Sequence, residues 1–199
     1  MTKRRFIAVP FTKYQLDKQV AEHWKLVYQQ KREPDKQKTY EIRTFMLQDK
    51  IENIDHEDSV YVIGHANLED KNGTILNEES NEMMTPHILA YRLSVMIGEG
   101  AFHKRFTFRI FSCFSAGESD LVLAIQQSFA YKACEKLSLR GYDAFTGYGY
   151  NVEVMDPDTR EVEGKDIVHK WMKNKYITRR AKLDRRIVWP RDRIGHDVD

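Results

Sequence analysis

Two stretches of the chain end apolar runs on reactive side chains. Val60-Tyr61-Val62-Ile63-Gly64-His65-Ala66 closes on a histidine, and Arg109-Ile110-Phe111-Ser112-Cys113-Phe114-Ser115-Ala116-Gly117 closes on a cysteine. A thiol and an imidazole brought together are the minimum set for a cysteine nucleophile with its base. The free thiol, with a pKa near roughly 8.5, is only a few per cent thiolate at neutral pH, so it needs local help. His65 would protonate a leaving amine and then activate the deacylating water. Cys113 is expected at or just before a helix whose N-terminal amides favour an anion, with Glu118 and Asp120 opposing that effect. Other chemistries lack their residues. No G-x-S-x-G elbow is present. A phosphatase loop would need an arginine six positions after Cys113, where Ser119 stands. No paired Cys/His set provides zinc ligands, and no cofactor is required by the dyad.

For these two side chains to meet, the runs that carry them must be parallel neighbours, since an open parallel sheet presents ligands outside the carboxyl ends of its strands. Arg5–Phe11 reads as a first strand, and Tyr14–Lys31 as a helix with Leu16, Val20, Trp24 and Val27 on one face. Lys31–Lys38 is a charged connection, and Lys38–Met46 an edge strand. Asp58–Gly64 is a β-branched and aromatic run that fits a strand covered on both faces. Asn67–Glu82 is polar and holds the turn signal Asn72-Gly73, so a small hairpin or loop is expected there. Thr85-Pro86 starts a helix that Gly98 stops. Thr107–Ser112 is the next strand. Glu118–Leu139 is expected as one long helix, with Leu121, Ile125, Phe129 and Ala133 on its buried stripe and Gly141 as its stop. Asp143–Thr146 leads a strand into Gly147-Tyr148-Gly149-Tyr150, and residues 151–162 form a hairpin around Asp156-Pro157-Asp158. This alternation predicts an α/β three-layer sandwich with a mostly parallel central sheet and right-handed crossovers.

The chain of 199 residues suits one domain with a small appendage, divided as residues 1–164 and a basic C-terminal extension over 165–199. Its net charge of +2 exerts no whole-molecule pull on nucleic acid. The two cysteines, Cys113 and Cys134, are too few for a disulfide framework and fit a reducing compartment. No run approaches the roughly 20 apolar residues of a membrane span. Met1–Pro10 has three bases and then too short an apolar stretch for a signal peptide. A cytoplasmic protein, or one delivered into a host cytosol, is expected.

A strand ending in histidine, then a helix, then a strand ending in cysteine 48 positions later resembles the caspase-like cysteine peptidases. These include caspases, clostripain, gingipains and the self-processing protease domains of large bacterial toxins. The matching residues are Gly64-His65-Ala66 and Ser112-Cys113-Phe114-Ser115-Ala116-Gly117, and the match of order and spacing spans Arg5 to Tyr150. It implies a caspase-like fold and a cysteine endopeptidase acting on proteins, its own chain included. Cys113 would be the nucleophile and His65 the acid and base, with the backbone N–H groups of Cys113 and Ala66 as the oxyanion hole. Tyr148 and Tyr150 would lie at one wall of the substrate cleft. The family has glycine where this chain has Ala66, and alanine restricts the backbone more.

Rival readings use the same residues. Cysteine is often only a small buried hydrophobe, and a loop histidine is often only solvated. A non-catalytic interaction module would keep the sandwich without the chemistry. Glu69 and Asp70 could orient His65, or be solvated acids. In the toxin domains inositol hexakisphosphate fills a basic pocket and switches the enzyme on. The basic C-terminal segment reads either as a solvated extension that needs no partner or, with Lys3, Arg4 and Arg5, as the corresponding candidate for an anionic ligand, since clustered arginines fit phosphate geometry.

Overall fold

The computed structural model describes residues 3–12, 40–67, 69–77, 81–152, 154–155, 167–172 and 175–196. The helix expected at Tyr14–Lys31, the charged connection after it and the turn around Pro157 lie outside the described residues.

The strands of the main sheet are β1 (Lys3–Val9), β2 (Tyr40–Met46), β3 (Ser59–Ile63), β7 (Thr107–Phe111), β8 (Thr146–Tyr150), β12 (Arg185–Trp189) and β13 (Gly195–His196). Their spatial order is β13-β12-β8-β7-β3-β1-β2. The pairs from β2 through β8 are parallel, and β12 and β13 close the sheet antiparallel. A mixed α/β protein with a mostly parallel central sheet is therefore the architecture, and β2 stands at its edge as expected. Between β3 and β7 lie β4 (His65–Ala66), β5 (Ile75–Asn77) and β6 (Glu82–Met84), which form a small antiparallel sheet where a loop or hairpin was expected. A third sheet pairs β9 (Val154–Met155), β10 (Ile167–Met172) and β11 (Lys175–Arg180).

Strand periodicity of two decides which side chains meet which layer. Phe6, Ala8, Val60, Val62, Phe108 and Ile110 join one core with Leu89, Leu93 and Met96 of α1 (Pro86–Ile97) and Phe129, Ala133 and Leu137 of α3 (Phe129–Ser138). The alternate residues Ile7, Tyr61, Phe111 and Tyr150 are buried on the opposite face. Burial on both faces is compatible with a three-layer sandwich. Helix α1 begins as its sequence dictates: the Thr85 hydroxyl accepts from the Ile88 N–H at 3.3 Å, Pro86 follows, and Gly98 ends it at φ 73°.

Two expectations change. The single helix over Glu118–Leu139 is two, α2 (Val122–Gln127) and α3. Ser128 between them has an extended backbone, and its hydroxyl accepts from the Tyr131 N–H at 3.3 Å, capping a new helix. A serine that bonds nearby backbone competes with helix continuation. Leu121, assigned to the buried stripe, is 72% exposed. The basic segment from 165 is not an appended extension throughout. β12 lies inside the main sheet beside β8, with Val188 fully buried and Arg186 nearly so. The apolar run Ile187-Val188-Trp189 explains it, because those side chains need both layers of the sheet.

Candidate functional site

The end of β3 and the end of β7 run side by side. Ile63 is in register with Phe111, and the Gly64 N–H still reaches the Phe111 carbonyl at 3.4 Å. His65 and Cys113 each lie two residues past that last pair, at the carboxyl edge of the sheet. Parallel neighbours are about 4.8 Å apart, so the two backbones leave the sheet within one strand spacing. Both residues are partly exposed. Cys134, by contrast, is fully buried inside α3, and burial pushes its thiol up, which keeps it neutral.

Cys113 is held in a tight turn rather than at a helix start. Eight residues separate it from α2, so the helix N-terminus does not act on it. The turn is fixed by its own amides. The N–H groups of Phe114, Ser115, Ala116 and Gly117 donate to the carbonyls of Val152, Ser112, Tyr150 and Phe114 at 3.0, 3.3, 3.0 and 2.7 Å. Phe114 takes a left-handed backbone at φ 52°, uncommon for a bulky residue. The buried Ser115 hydroxyl donates to the Ile110 carbonyl at 2.8 Å and accepts from the Tyr150 N–H at 2.9 Å. Its carbonyl takes the Ala130 N–H at 2.9 Å, which pins the turn to the first turn of α3.

The tyrosines expected to wall a cleft are interior residues. Tyr150 is 1% exposed and packs edge-on against Phe111, and Tyr148 is 8% exposed. The reason is the strict alternation of Gly147-Tyr148-Gly149-Tyr150 on an internal strand. The tyrosines face one layer and the glycines face α3. A Cβ on Gly149 would sit 2.9 Å from the Ala116 nitrogen, and one on Gly147 would sit 2.4 Å from the Cys134 sulfur. The two glycines therefore permit the close approach of α3 and the turn that holds Cys113, a role readable from the period-two pattern itself.

Tyr148 lies between guanidinium groups instead of against solvent. Arg109 is 5.3 Å and Arg185 4.8 Å from its ring centroid, and Arg109 and Arg5 are 5.2 and 5.9 Å from the Tyr61 ring. Arg109 also donates to the Tyr61 hydroxyl at 2.9 Å, while its Nε is buried with no hydrogen-bond partner. Burial first, and the neighbouring Arg109 charge second, weaken the hold of Arg185 on its proton. Arg4 is committed elsewhere, to Asp58.

Sequence reasoning missed a polar clamp that joins Asp120, Asn151 and Arg186. The Arg186 Nε donates to Asp120 at 2.7 Å, and Asn151 donates to the same oxygen at 3.3 Å. Arg186 further donates to the Leu183 and Arg185 carbonyls at 3.1 and 3.0 Å. An arginine directly before the apolar run of β12 was the available signal, because a buried guanidinium requires partners. The Asp70 and Glu69 side chains are exposed, and Asp70 is engaged in its own turn, accepting at its carbonyl from Gly73 and Thr74. Ala66 lies in the short strand β4, an extended conformation that alanine adopts without strain.

Among the described residues no group of three His, Cys, Asp or Glu side chains could hold a metal ion, and no helix is long and apolar enough to cross a membrane. The chain matches no family model, no curated protein and no solved structure.

Proposed function

We propose that this protein is a caspase-like cysteine peptidase that cleaves proteins, its own chain included, through Cys113 and His65. The thiolate of Cys113 attacks the scissile carbonyl carbon, and the resulting oxyanion accepts the backbone N–H groups of Cys113 and Ala66. The C–N bond then breaks as His65 protonates the leaving amine. Water, deprotonated by His65, hydrolyses the thioester and returns the free thiol. One observation carries this reading: His65 and Cys113 leave adjacent parallel strands at equivalent register positions on the carboxyl edge of the sheet, where such sheets bind ligands. The rigid turn around Cys113 supports it, since oxyanion donors must be preorganised. An electrophilic peptidyl probe should label Cys113, and Cys113→Ala should abolish labelling and cleavage. Cleavage that survives Cys113→Ala, or a wild-type Cys113 that alkylates like a free thiol, favours the non-catalytic interaction module.

A second reading, control by an anionic ligand such as an inositol phosphate, is favoured by the ladder of Arg5, Tyr61, Arg109, Tyr148 and Arg185. It draws on both basic stretches of the sequence and buries an unpaired Arg109 Nε. Inositol hexakisphosphate should raise the melting temperature of the wild type more than sulfate of equal ionic strength does. Equal effects of the two anions, or an undiminished effect in Arg109→Met, refute it.

A further inference from the structure

The described residues of the loop that joins β4 to β5 are fastened at two points, one at the turn after Cys113 and one on α3. At one, the Lys71 ammonium lies 4.3 Å from the centroid of the Phe114 ring and pairs with Glu118. At the other, Lys132 of α3 donates to the Asn72 carbonyl at 3.1 Å. Asn67 donates to the Thr74 hydroxyl at 2.9 Å, the Asp70 carbonyl closes the tip, and Ala66 pairs with Ile75 at the base. A displacement of the tip is therefore carried into β4, the strand of His65. The tip also holds an unmet cost, since the Asn72 Oδ1 is buried without a hydrogen-bond partner.

We propose that Lys71 is a positioning residue of the peptidase site: by holding the loop tip on Phe114 and Glu118 it sets the gap between His65 and Cys113. This rests on the peptidase reading above. The ring that Lys71 covers belongs to the residue after the nucleophile, and that residue has the left-handed backbone. Loss of the ammonium releases the strained turn from the loop that follows the histidine, while the Lys132 bond to the loop tip remains. The fastening contributes little to global stability, because Lys71 and Glu118 face solvent at 32% and 57% exposure. The charged groups around the turn are Lys71, Lys132 and Arg186 on one side of the balance and Glu118 and Asp120 on the other.

Iodoacetamide alkylation read by mass spectrometry reports on Cys113, because Cys134 is fully buried. Rates are measured against pH for the wild type, His65→Ala, Lys71→Met and Lys71→Arg. The wild type should keep a reactive limb below the ordinary thiol range that His65→Ala removes. Lys71→Met should weaken that limb on the order of tenfold, short of the roughly 100-fold cost of a 1 Å misplacement. Lys71→Arg should restore it, since arginine can both pair with Glu118 and stack on Phe114. A Lys71→Met profile that superimposes on wild type overturns the positioning role and leaves the peptidase reading standing. A wild-type profile that superimposes on His65→Ala overturns both. If Lys71→Met also lowers the melting temperature, Glu118→Gln decides: a weakened limb at unchanged melting temperature supports the proposal, and wild-type behaviour refutes it.

Discussion

Ser115→Ala removes one hydroxyl that is engaged twice. The Ser115 Oγ accepts from the Tyr150 N–H at 2.9 Å and donates to the Ile110 carbonyl at 2.8 Å, and the residue is 1% exposed. Water does not replace it, so the Tyr150 N–H is left buried and unmet. Stranding one such donor costs about 1–3 kcal/mol. The Ile110 carbonyl retains a second lone pair and loses less, about 0.5–1 kcal/mol. The substitution should therefore destabilise the protein by about 2–3 kcal/mol, since alanine leaves only a small void. Urea unfolding followed by circular dichroism measures this directly. With a slope of about 3 kcal/mol per M, the midpoint should fall by roughly 0.7–1 M at unchanged slope. The backbone bonds of the turn survive, so the variant should fold. A midpoint shift under about 0.2 M would refute the claim that this hydroxyl welds the turn to β7 and β8.

Gly147→Ala would drive a methyl to 2.4 Å from the Cys134 sulfur and 3.0 Å from the Trp189 Cβ. It should destabilise by about 1–3 kcal/mol, and adding Cys134→Ala should recover at least about 1 kcal/mol as coupling in a double-mutant cycle. Additive effects in that cycle would show that the helix does not approach β8 so closely. Glu82 responds to pH. Burial raises its pKa, but hydrogen bonds from the Thr12 hydroxyl and N–H and from Arg92 outweigh it and hold the carboxyl below its ordinary 4.5. With the folded pKa below the unfolded one, its stabilisation is complete above pH 4.5 and is lost as the pH falls through the folded value. Glu82→Gln should thus unfold more readily at pH 7, with the gap to wild type narrowing as the pH falls below 4.5 in thermal melts. A gap independent of pH would contradict that assignment.

Much of the frame was legible because local pattern and tertiary role coincide. The apolar runs at Val60 and Arg109, the Thr85-Pro86 cap and the Gly98 stop all became the elements expected, since caps and strand periodicity act over a few residues. The failures share another cause. Ser128 breaks a helix, although nothing in the four-residue spacing of Leu121, Ile125 and Phe129 marks the break. The nearby Ala130 N–H is already claimed by the Ser115 carbonyl from the turn after Cys113. Tyr148 and Tyr150 look like surface aromatics beside glycines, and only the insertion of β12 next to β8 turns them into interior residues.

The order and spacing of His65 and Cys113, the chemistry open to that pair and the parallel α/β frame were contained in the sequence itself. The tertiary structure decided which partners surround them. The Asp120–Arg186 clamp, the Arg109–Tyr148–Arg185 stack and the Lys71 fastening join residues 66, 76 and 47 positions apart or fewer. Contacts between side chains so distant along the chain leave no periodic trace in it. They exist only once the strands have paired and the sheet has set the distances.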